Sequence, residues 1–329
     1  MPPYFIKPGS CSKLRPYINP GELPAAPPVY GGKTDRGYLA MVFKDKKYMF
    51  LFLAPAIILI TVFLYYPLYR TFIYSLTDYS QWSPKYKFIG FENYARLFTD
   101  PVIYGSLKNT AILLIGCIIV EVAFALVLAI LVDSIRKGFR LFRMVYFFPV
   151  VISGSAIGLM FYLAFQYEYG LLNSIVMSLG MEKINWITET SAMYLVLVPV
   201  LWQYVGFYFV IFLTAMASIP QDIYESAELD GITGFNKAIY ITIPMIWEVI
   251  ATAIGLVIAG SLKVFDIVFV MTGGGPLDSS QLLSTWLYQQ AFVFNNQGYG
   301  STIAVAIIVL GLVIYLLSNR LTKRETITY

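Results

Sequence analysis

Six long apolar runs limit what this chain can fold into more than any other feature of its sequence. Each run is close to the roughly 20 apolar residues that an α-helix needs to cross about 30 Å of hydrocarbon. The chain of 329 residues is also 58% hydrophobic and only 13% charged, where soluble proteins carry about 25% charged residues. We therefore predict an all-α, polytopic membrane protein with six transmembrane helices. The predicted spans cover residues 48–66, 110–132, 141–165, 192–218, 245–271 and 301–318.

The inventory of reactive side chains argues against an enzyme. The sequence contains no histidine, which is the commonest general base and a common metal ligand near neutral pH. Its two cysteines, Cys11 and Cys117, are far apart in the chain, so neither a disulfide framework nor a zinc site is supported. We expect no catalytic residue, no metal site and no nucleic-acid partner. A membrane-embedded enzyme is therefore the weakest alternative.

The segment before the first span has a different composition. Residues 1–47 contain eight prolines with glycines and lysines between them, and they show no apolar period. Such a segment cannot bury enough apolar surface to offset its ordering entropy, so we predict a largely disordered cytoplasmic tail. It also lacks the apolar core of a signal peptide. The predicted transmembrane domain covers residues 48–325.

The distribution of basic residues predicts the orientation in the membrane. With the N-terminus inside, sixteen of the 23 Lys and Arg residues fall in inner segments and six fall in outer loops. The positive-inside rule therefore places both termini in the cytoplasm of a multi-pass protein in a bacterial cytoplasmic membrane. The same alternation puts the loop between spans four and five, residues 219–244, on the cytoplasmic side.

This loop, called the acidic loop from here on, is polar and helix-forming. Amphipathic helices that rest on lipid favour Lys and Arg on their polar face, because those residues meet anionic headgroups. An acidic helix is better matched to a basic groove on a protein. We expect the acidic loop to dock on a cytoplasmic protein, and an interfacial helix resting on lipid is the alternative. The charged residues of the loop are Asp222, Glu225, Glu228, Asp230 and Lys237.

Local signals predict two short helices in the acidic loop. Ser218 followed three residues later by Gln221 matches a capping box at the start of the first helix. Gly231 offers a left-handed stop for that helix. A second short helix is predicted over residues 235–240, ending at the turn into Pro244.

The spacing within the acidic loop makes the chain resemble the permeases of ATP-binding-cassette importers. Glu225-Ser226-Ala227, Gly231 and Ile241-Thr242-Ile243-Pro244 match the EAA loop of that family, with Ser226 for its middle Ala and Ile243 for its usual Leu. Other stretches resemble the sugar-importer branch, the carbohydrate uptake transporter family with the larger maltose permease subunit and the glycerol-3-phosphate permease. These stretches are Phe88–Tyr94, Asn109-Thr110, Gly170–Asn173, Leu262–Asp266 and Thr272–Pro276.

The resemblance implies an assembly around this chain. It contains a second, different permease subunit, two cytoplasmic ATPase subunits, an extracytoplasmic solute-binding protein and a sugar solute, all at the lipid bilayer. The acidic loop would be the coupling helix that sits in a cleft of the ATPase. ATP and Mg would be used by the ATPase, and this chain, which has no Walker-type phosphate-binding sequence, would bind no cofactor. The coupling residues implied by the resemblance are Glu225, Ser226, Ala227, Asp230, Gly231 and Pro244.

Polar side chains within spans four and five are the candidates for a solute path. Such groups are costly in lipid and usually face protein or a water-filled pathway. The resemblance to the larger maltose permease subunit also implies that these two spans line a sugar site. The candidates are Trp202, Gln203, Tyr204 and Tyr208 in span four, and Ser261, Lys263 and Asp266 in span five.

The charged residues within the predicted spans have structural alternatives to a role in the solute path. Lys263 and Asp266 are three residues apart and would neutralise each other on a helix. Glu121, in span two, is either an interhelical hydrogen-bond partner or a further group of the path.

The sequence as a whole predicts a non-catalytic permease subunit of an ATP-driven importer of a sugar or oligosaccharide. A permease for glycerol-3-phosphate or another polyol is the first alternative, since Lys263 favours an anion if Asp266 leaves its charge unmatched. A self-contained secondary transporter is the second alternative, and it would require inverted repeats and an ion relay.

Overall fold

The computed structural model describes residues 46–83, 85–133 and 139–323, and these residues are overwhelmingly helical. Their extended pairing is limited to two isolated bridges, Thr77 with Phe88 and Ser80 with Ser83. The predicted tail, apart from the start of the first helix, and most of the basic loop between spans two and three lie outside the described residues. The all-α prediction is confirmed for the described part of the chain.

The helices are numbered in chain order. They are α1 (Lys46–Ile60), α2 (Tyr66–Ser75), α3 (Glu92–Leu97), α4 (Pro101–Cys117), α5 (Ala125–Asp133), α6 (Phe139–Phe147), α7 (Gly154–Ala164), α8 (Leu171–Ser178), α9 (Ala192–Ala217), α10 (Gln221–Leu229), α11 (Gly234–Lys237), α12 (Ile243–Met245), α13 (Trp247–Ser261), α14 (Asp266–Met271), α15 (Leu283–Tyr288) and α16 (Gln297–Thr322). Wider π-helical turns follow some of them, at Thr61–Tyr65, Ile118–Phe124, Ala238–Thr242 and Gln289–Val293, and a 3₁₀ turn follows α6 at Phe148–Val151.

Length and apolar composition identify the segments that can cross a membrane. Four helical stretches meet both conditions, namely Phe50–Ser75, Pro101–Asp133, Ala192–Ala217 and Gln297–Thr322. Two bent pairs meet them jointly, so the described residues contain up to six spans. The number six therefore stays a prediction.

Spans three and five are broken, where the sequence predicts continuous helices over 141–165 and 245–271. The helical stretch Leu141–Val151 meets α7 at 92°, because Ile152 and Ser153 adopt extended ψ angles of 138° and 135° after Pro149, which has no backbone N–H to donate. In span five, α13 ends at Ser261 and residues 262–265 are non-helical before α14 begins.

Each break frees backbone groups that lipid cannot satisfy, and neighbouring side chains provide partners. Gln203 on α9 donates its Nε2 to the carbonyl of Ile152, at 3.0 Å. Ser284 on α15 donates its hydroxyl to the carbonyl of Val264. The breaks are thus part of the packing, since each places irregular backbone beside a polar side chain that bonds it.

The chain divides into two compact units, one up to Leu64 and one from Tyr65 onward. In the described part of the first unit, α1 continues into a π-helical turn. In the second unit, α9 is the central helix and packs against α4, α5, α6, α7, α13 and α14. Its Phe209 and Phe212 are fully buried in the largest apolar core.

Three asparagines hold backbone carbonyls with their side-chain amides, and each lies in one of the stretches that resemble the sugar-importer branch. Asn93 donates to the carbonyls of Ser75 and Thr77, and Asn109 donates to those of Ser279 and Gln281. The side chain of Asn173 makes four hydrogen bonds. They occupy the whole amide group, because it carries two donor hydrogens and an acceptor oxygen. It donates to Tyr167 and Ile184 carbonyls and accepts from the Ile184 N–H and the Trp186 indole.

Candidate functional site

A cavity of about 230 Å³ lies between the π-helical turn after α4, the middle of α9 and the break after α13. It brings together six of the seven path candidates from the sequence, and all three elements belong to the unit that starts at Tyr65. The lining residues are Cys117, Glu121, Val200, Gln203, Tyr204, Tyr208, Gly260, Ser261, Lys263, Val264, Asp266 and Ile267.

The remaining candidate, Trp202, does not line the cavity. Its ring packs against Phe161, with the ring centroids 5.9 Å apart. Because successive residues of a helix point about 100° apart, Trp202 and its neighbour Gln203 face different partners. Trp202 therefore belongs to the packing between α9 and α7.

Gln203 has a structural role as well as a place in the cavity wall. Its side chain is buried, and its amide nitrogen is occupied by the carbonyl of Ile152 at the break in span three. The same side chain therefore fixes the shape of the bent helix and presents the rest of its amide near the cavity. Ser261 is likewise buried and donates its hydroxyl to the Val257 carbonyl at 2.8 Å.

Glu121 and Cys117 are cavity residues on the same face of span two. Glu121 lies within the π-helical turn Ile118–Phe124, and only 4% of its surface is exposed. A π-helical turn in an α-helix often marks a functional position. The i, i+4 spacing of the two residues is the sequence signal that would have placed Cys117 beside Glu121.

Lys263 and Asp266 both line the cavity, Lys263 within the break in span five and Asp266 as the first residue of α14 after it. They are not on one helix, because Val264 and Phe265 between them are non-helical. Within the described ranges, the ion pairs with N–O distances up to 4.0 Å are Lys183–Glu168 and Lys237–Glu228. The expected direct neutralisation of Lys263 by Asp266 on a helix is therefore absent from this structure.

The acidic loop forms a second candidate site. Its first helix, α10, ends in a Schellman motif, in which the Ile232 N–H donates to the Ala227 carbonyl at 2.8 Å and the Gly231 N–H to the Glu228 carbonyl at 3.1 Å. Gly231 has a φ of +77°, as such a stop requires. The expected left-handed stop at Gly231 is confirmed.

Two other local expectations for the acidic loop are wrong. Pro220 is the residue before α10 and no side chain caps the helix, because the Ser218 hydroxyl instead donates to the Ala215 carbonyl. The second helix does not end after Tyr240 in a turn into Pro244 but continues from Gly234 to Met245, and then meets α13 at 72°. The π-helical turn Ala238–Thr242 precedes Pro244, and such a wider turn helps a helix accommodate a residue without an N–H.

The two halves of the acidic loop are joined by side chains. Lys237 Nζ lies 3.2 Å from Glu228 Oε1 and 5.1 Å from the centre of the Tyr224 ring. The Tyr224 hydroxyl lies 3.3 Å from Thr242 Oγ1. Burial raises the pKa of the Tyr224 phenol, and the bond to Thr242 partly opposes that rise. The phenol therefore stays protonated and keeps its hydrogen for bonding.

The coupling candidates differ in exposure. Glu225, Ser226, Asp230 and Gly231 are exposed, Pro244 is half-buried, and Ala227 is buried against the loop itself. A surface groove of about 350 Å³ on the loop is lined by Asp222, Ile223, Ser226, Ala227, Asp230, Ile232 and Ile241. Two apolar side chains project beside these polar groups, since Leu229 is 90% exposed and Phe235 is 76% exposed. Exposed apolar groups among acids are typical of a protein-docking surface.

Neither site has the composition of a metal centre. Within residues 46–83, 85–133 and 139–323, no three Cys, Asp or Glu side chains lie close enough together to hold a metal ion. The cavity offers hydrogen-bonding groups, two phenol rings and three ionisable side chains, and the acidic loop offers an exposed groove with polar and apolar side chains.

The chain is similar in sequence to a family of membrane transport proteins and to known permeases. The family model described as binding-protein-dependent transport system inner membrane component matches residues 121–327. The probable ABC transporter permease protein YurN of Bacillus subtilis is 35% identical over 288 residues, covering 86% of this chain and 98% of YurN. The lactose transport system permease protein LacF of Rhizobium radiobacter is 33% identical over 267 residues, covering 79% of this chain and 89% of LacF.

A solved structure shares the fold. The crystal structure of a bacterial ABC transporter involved in the import of the acidic polysaccharide alginate matches with a TM-score of 0.76 at 22% identity. The match covers 88% of this chain and 100% of the other.

Proposed function

The chain belongs to the family of binding-protein-dependent transport system inner membrane components, and from this membership we propose that it is a permease subunit of an importer for a sugar or oligosaccharide. The relative LacF is named for lactose transport. Membership in a binding-protein-dependent family also argues against a self-contained secondary transporter.

The cavity is the observation that supports a sugar best. Tyr204 and Tyr208 supply apolar ring faces with hydroxyl groups, and Ser261, Gln203 and Glu121 lie in the same wall. Sugars present hydroxyl groups around an apolar ring, so they need such a mixture of faces and hydrogen-bonding groups. At about 230 Å³ the cavity is smaller than the roughly 300–1,000 Å³ of typical ligand pockets. It fits one sugar unit, and the second permease would complete the path for a longer solute.

The charges of the cavity argue against a phosphorylated polyol. Lys263 is the group that favours an anion, but the same wall contains the carboxyl groups of Glu121 and Asp266. A phosphate entering this wall would approach two acidic side chains together with one ammonium. A neutral, hydroxyl-rich solute has no such conflict, since carboxylates accept hydrogen bonds from hydroxyl groups.

The partner proteins follow from the family and from the acidic loop. A second permease would complete the path, an extracytoplasmic binding protein would deliver the solute, and two ATPase subunits would supply the energy. ATP and Mg would be bound by those ATPases, and this chain would do no chemistry. The acidic loop would dock on an ATPase through its acids and through Leu229 and Phe235, with both chain termini on the same, cytoplasmic side.

Transport measurements test the role of the cavity. The complete transporter, with its second permease, ATPases and binding protein, is reconstituted in liposomes and supplied with labelled lactose, maltose and raffinose. Tyr204→Leu removes a hydroxyl group worth about 1 kcal/mol in hydrogen bonding, so we expect the uptake rate of the preferred sugar to fall roughly fivefold or more.

The matched control is Tyr194→Leu, an exposed tyrosine on the same helix but outside the cavity. Its uptake should equal that of the wild type. Unchanged uptake in Tyr204→Leu as well would move the solute site away from this cavity.

A further inference from the structure

The carboxylate of Asp266 rests directly on the backbone of Gly154, the first residue of α7. A Cβ atom at residue 154 would lie 1.9 Å from Asp266 Oδ2 and 2.6 Å from its Cγ. Both distances are far below a van der Waals contact. Any side chain at residue 154 would therefore displace the Asp266 carboxyl group from its present position.

Gly154 is one of two glycines that bring α7 and α14 together. Gly158 lies one helical turn further on, and a Cβ there would lie 3.0 Å from the Ile267 carbonyl oxygen and 3.2 Å from the Ile267 Cα. The spacing Gly-x-x-x-Gly is the arrangement that lets two membrane helices approach closely. The two glycines differ in what they face, since Gly158 meets backbone and Gly154 meets a charged side chain.

The position of Asp266 also makes electrostatic sense. The first N–H groups of a helix have no partner within it, and the aligned peptide dipoles place partial positive charge there. Ser153 precedes α7 and makes no side-chain cap to it. The Asp266 carboxylate therefore stands where a negative charge is favoured, and it remains exposed in the cavity wall.

We propose that Gly154 is a positioning residue for solute recognition, because its missing side chain lets the first turn of α7 fix the Asp266 carboxylate as a hydrogen-bond acceptor in the cavity. This inference rests on the proposed function, in which the cavity receives a hydroxyl-bearing solute. Gly154 itself does not line the cavity and acts through Asp266.

The first measurement needs no solute. In the purified complex, Gly154→Ala should lower the melting temperature by roughly 5 °C, because overpacking a close contact is destabilising. In the Asp266→Ala background the carboxyl group is gone, so the same substitution should have little further effect. Equal shifts in the two backgrounds would overturn the proposal, because Gly154 would then not act on Asp266.

The second measurement separates positioning from packing. The dissociation constant of the complex for labelled lactose, maltose and raffinose is measured without binding protein. Loss of a hydrogen bond to a charged group weakens binding about tenfold or more. We therefore expect Gly154→Ala to raise the dissociation constant by that factor, and Asp266→Asn to raise it by a similar factor. The matched control is Gly105→Ala, a helical glycine at which an added Cβ would meet nothing within 4 Å, and it should leave both measurements unchanged.

The outcomes distinguish the two proposals. If Asp266→Asn weakens binding and Gly154→Ala does not, the cavity keeps its function and the positioning role is wrong. If the stability effects of the two positions are coupled but neither variant alters sugar binding, the contact is real and the cavity is not the solute site.

Discussion

The acidic loop and the cavity place their candidate residues in opposite ways. The loop presents exposed side chains from one contiguous stretch, held by a backbone turn at Gly231 and by a few contacts between its halves. The cavity draws twelve residues from three separate segments. Its wall contains the break in span five, where Ser284 bonds the Val264 carbonyl, and its lining residue Gln203 bonds the Ile152 carbonyl at the break in span three. The shape of the loop therefore depends first on backbone conformation, whereas the shape of the cavity depends on individual hydrogen bonds from side chains to the backbone.

The strongest test of this comparison is Gly231→Val. A β-branched residue at a φ of +77° costs roughly 1–2 kcal/mol, so the Schellman motif at the end of α10 should be lost. We expect uptake by the reconstituted transporter to fall more than tenfold and solute-stimulated ATP hydrolysis to disappear, while the complex still assembles in the membrane.

The chain contains a matched control for this substitution. Gly180, at the end of α8 on the predicted outer side, has a φ of +78° and ends its helix with the same pair of bonds, from Gly180 N–H to Met177 and from Met181 N–H to Val176. Gly180→Val should strain its own turn and leave the ATPase stimulated. Equal loss of stimulation in both variants would mean that strain anywhere in the chain uncouples transport.

The exposed, acidic character of the loop and its stop at Gly231 could be predicted from the sequence because the residues involved are neighbours in the chain. The Glu225-to-Pro244 spacing and the stop at Gly231 are local signals. Such signals can be recognised in the sequence without knowing how the helices pack. The capping box predicted at Ser218 does not form, because a short sequence signal does not determine which nearby group the side chain bonds. A hydroxyl group has several carbonyls within reach, and the one of Ala215 was preferred.

Gln203→Leu tests the other side of the comparison and should have the next largest effect. It leaves the half-buried Ile152 carbonyl without its side-chain partner, which costs about 1–3 kcal/mol in an apolar span. We expect the complex to be less stable and uptake to fall roughly tenfold, with ATPase binding to the acidic loop unchanged.

Gln289→Leu is the control for the loss of such a bond. Gln289 also donates its amide to a backbone carbonyl, that of Gly273 at 3.1 Å, but it lies outside the cavity. Its uptake should stay within about twofold of the wild type, because the bond is exposed and does not belong to the cavity. Normal uptake in Gln203→Leu would show that the cavity tolerates an unsatisfied break and would weaken the comparison.

Long-range packing explains what the sequence could not predict about the cavity. Six of the seven path candidates lie together in its wall, since polar groups within apolar spans have few alternatives to a protein interior. The breaks at Ile152 and Val264 were missed because hydropathy reports composition and not backbone continuity. The partners that make those breaks tolerable, Gln203 and Ser284, come from helices 51 and 20 residues away in the chain.

The smallest expected effect concerns the contact between the halves of the acidic loop. Lys237→Met removes the ion pair with Glu228 and the cation over Tyr224, but both charged side chains are partly exposed. Such pairs contribute about 0.2–1 kcal/mol, so uptake and ATPase stimulation should change by no more than about fivefold. Lys183→Met is the control on the predicted outer side, where Lys183 pairs with Glu168 and lies over the Tyr167 ring in the same manner. A loss in Lys237→Met as large as that in Gly231→Val would show that side-chain contacts, and not the backbone turn, hold the docking surface in shape.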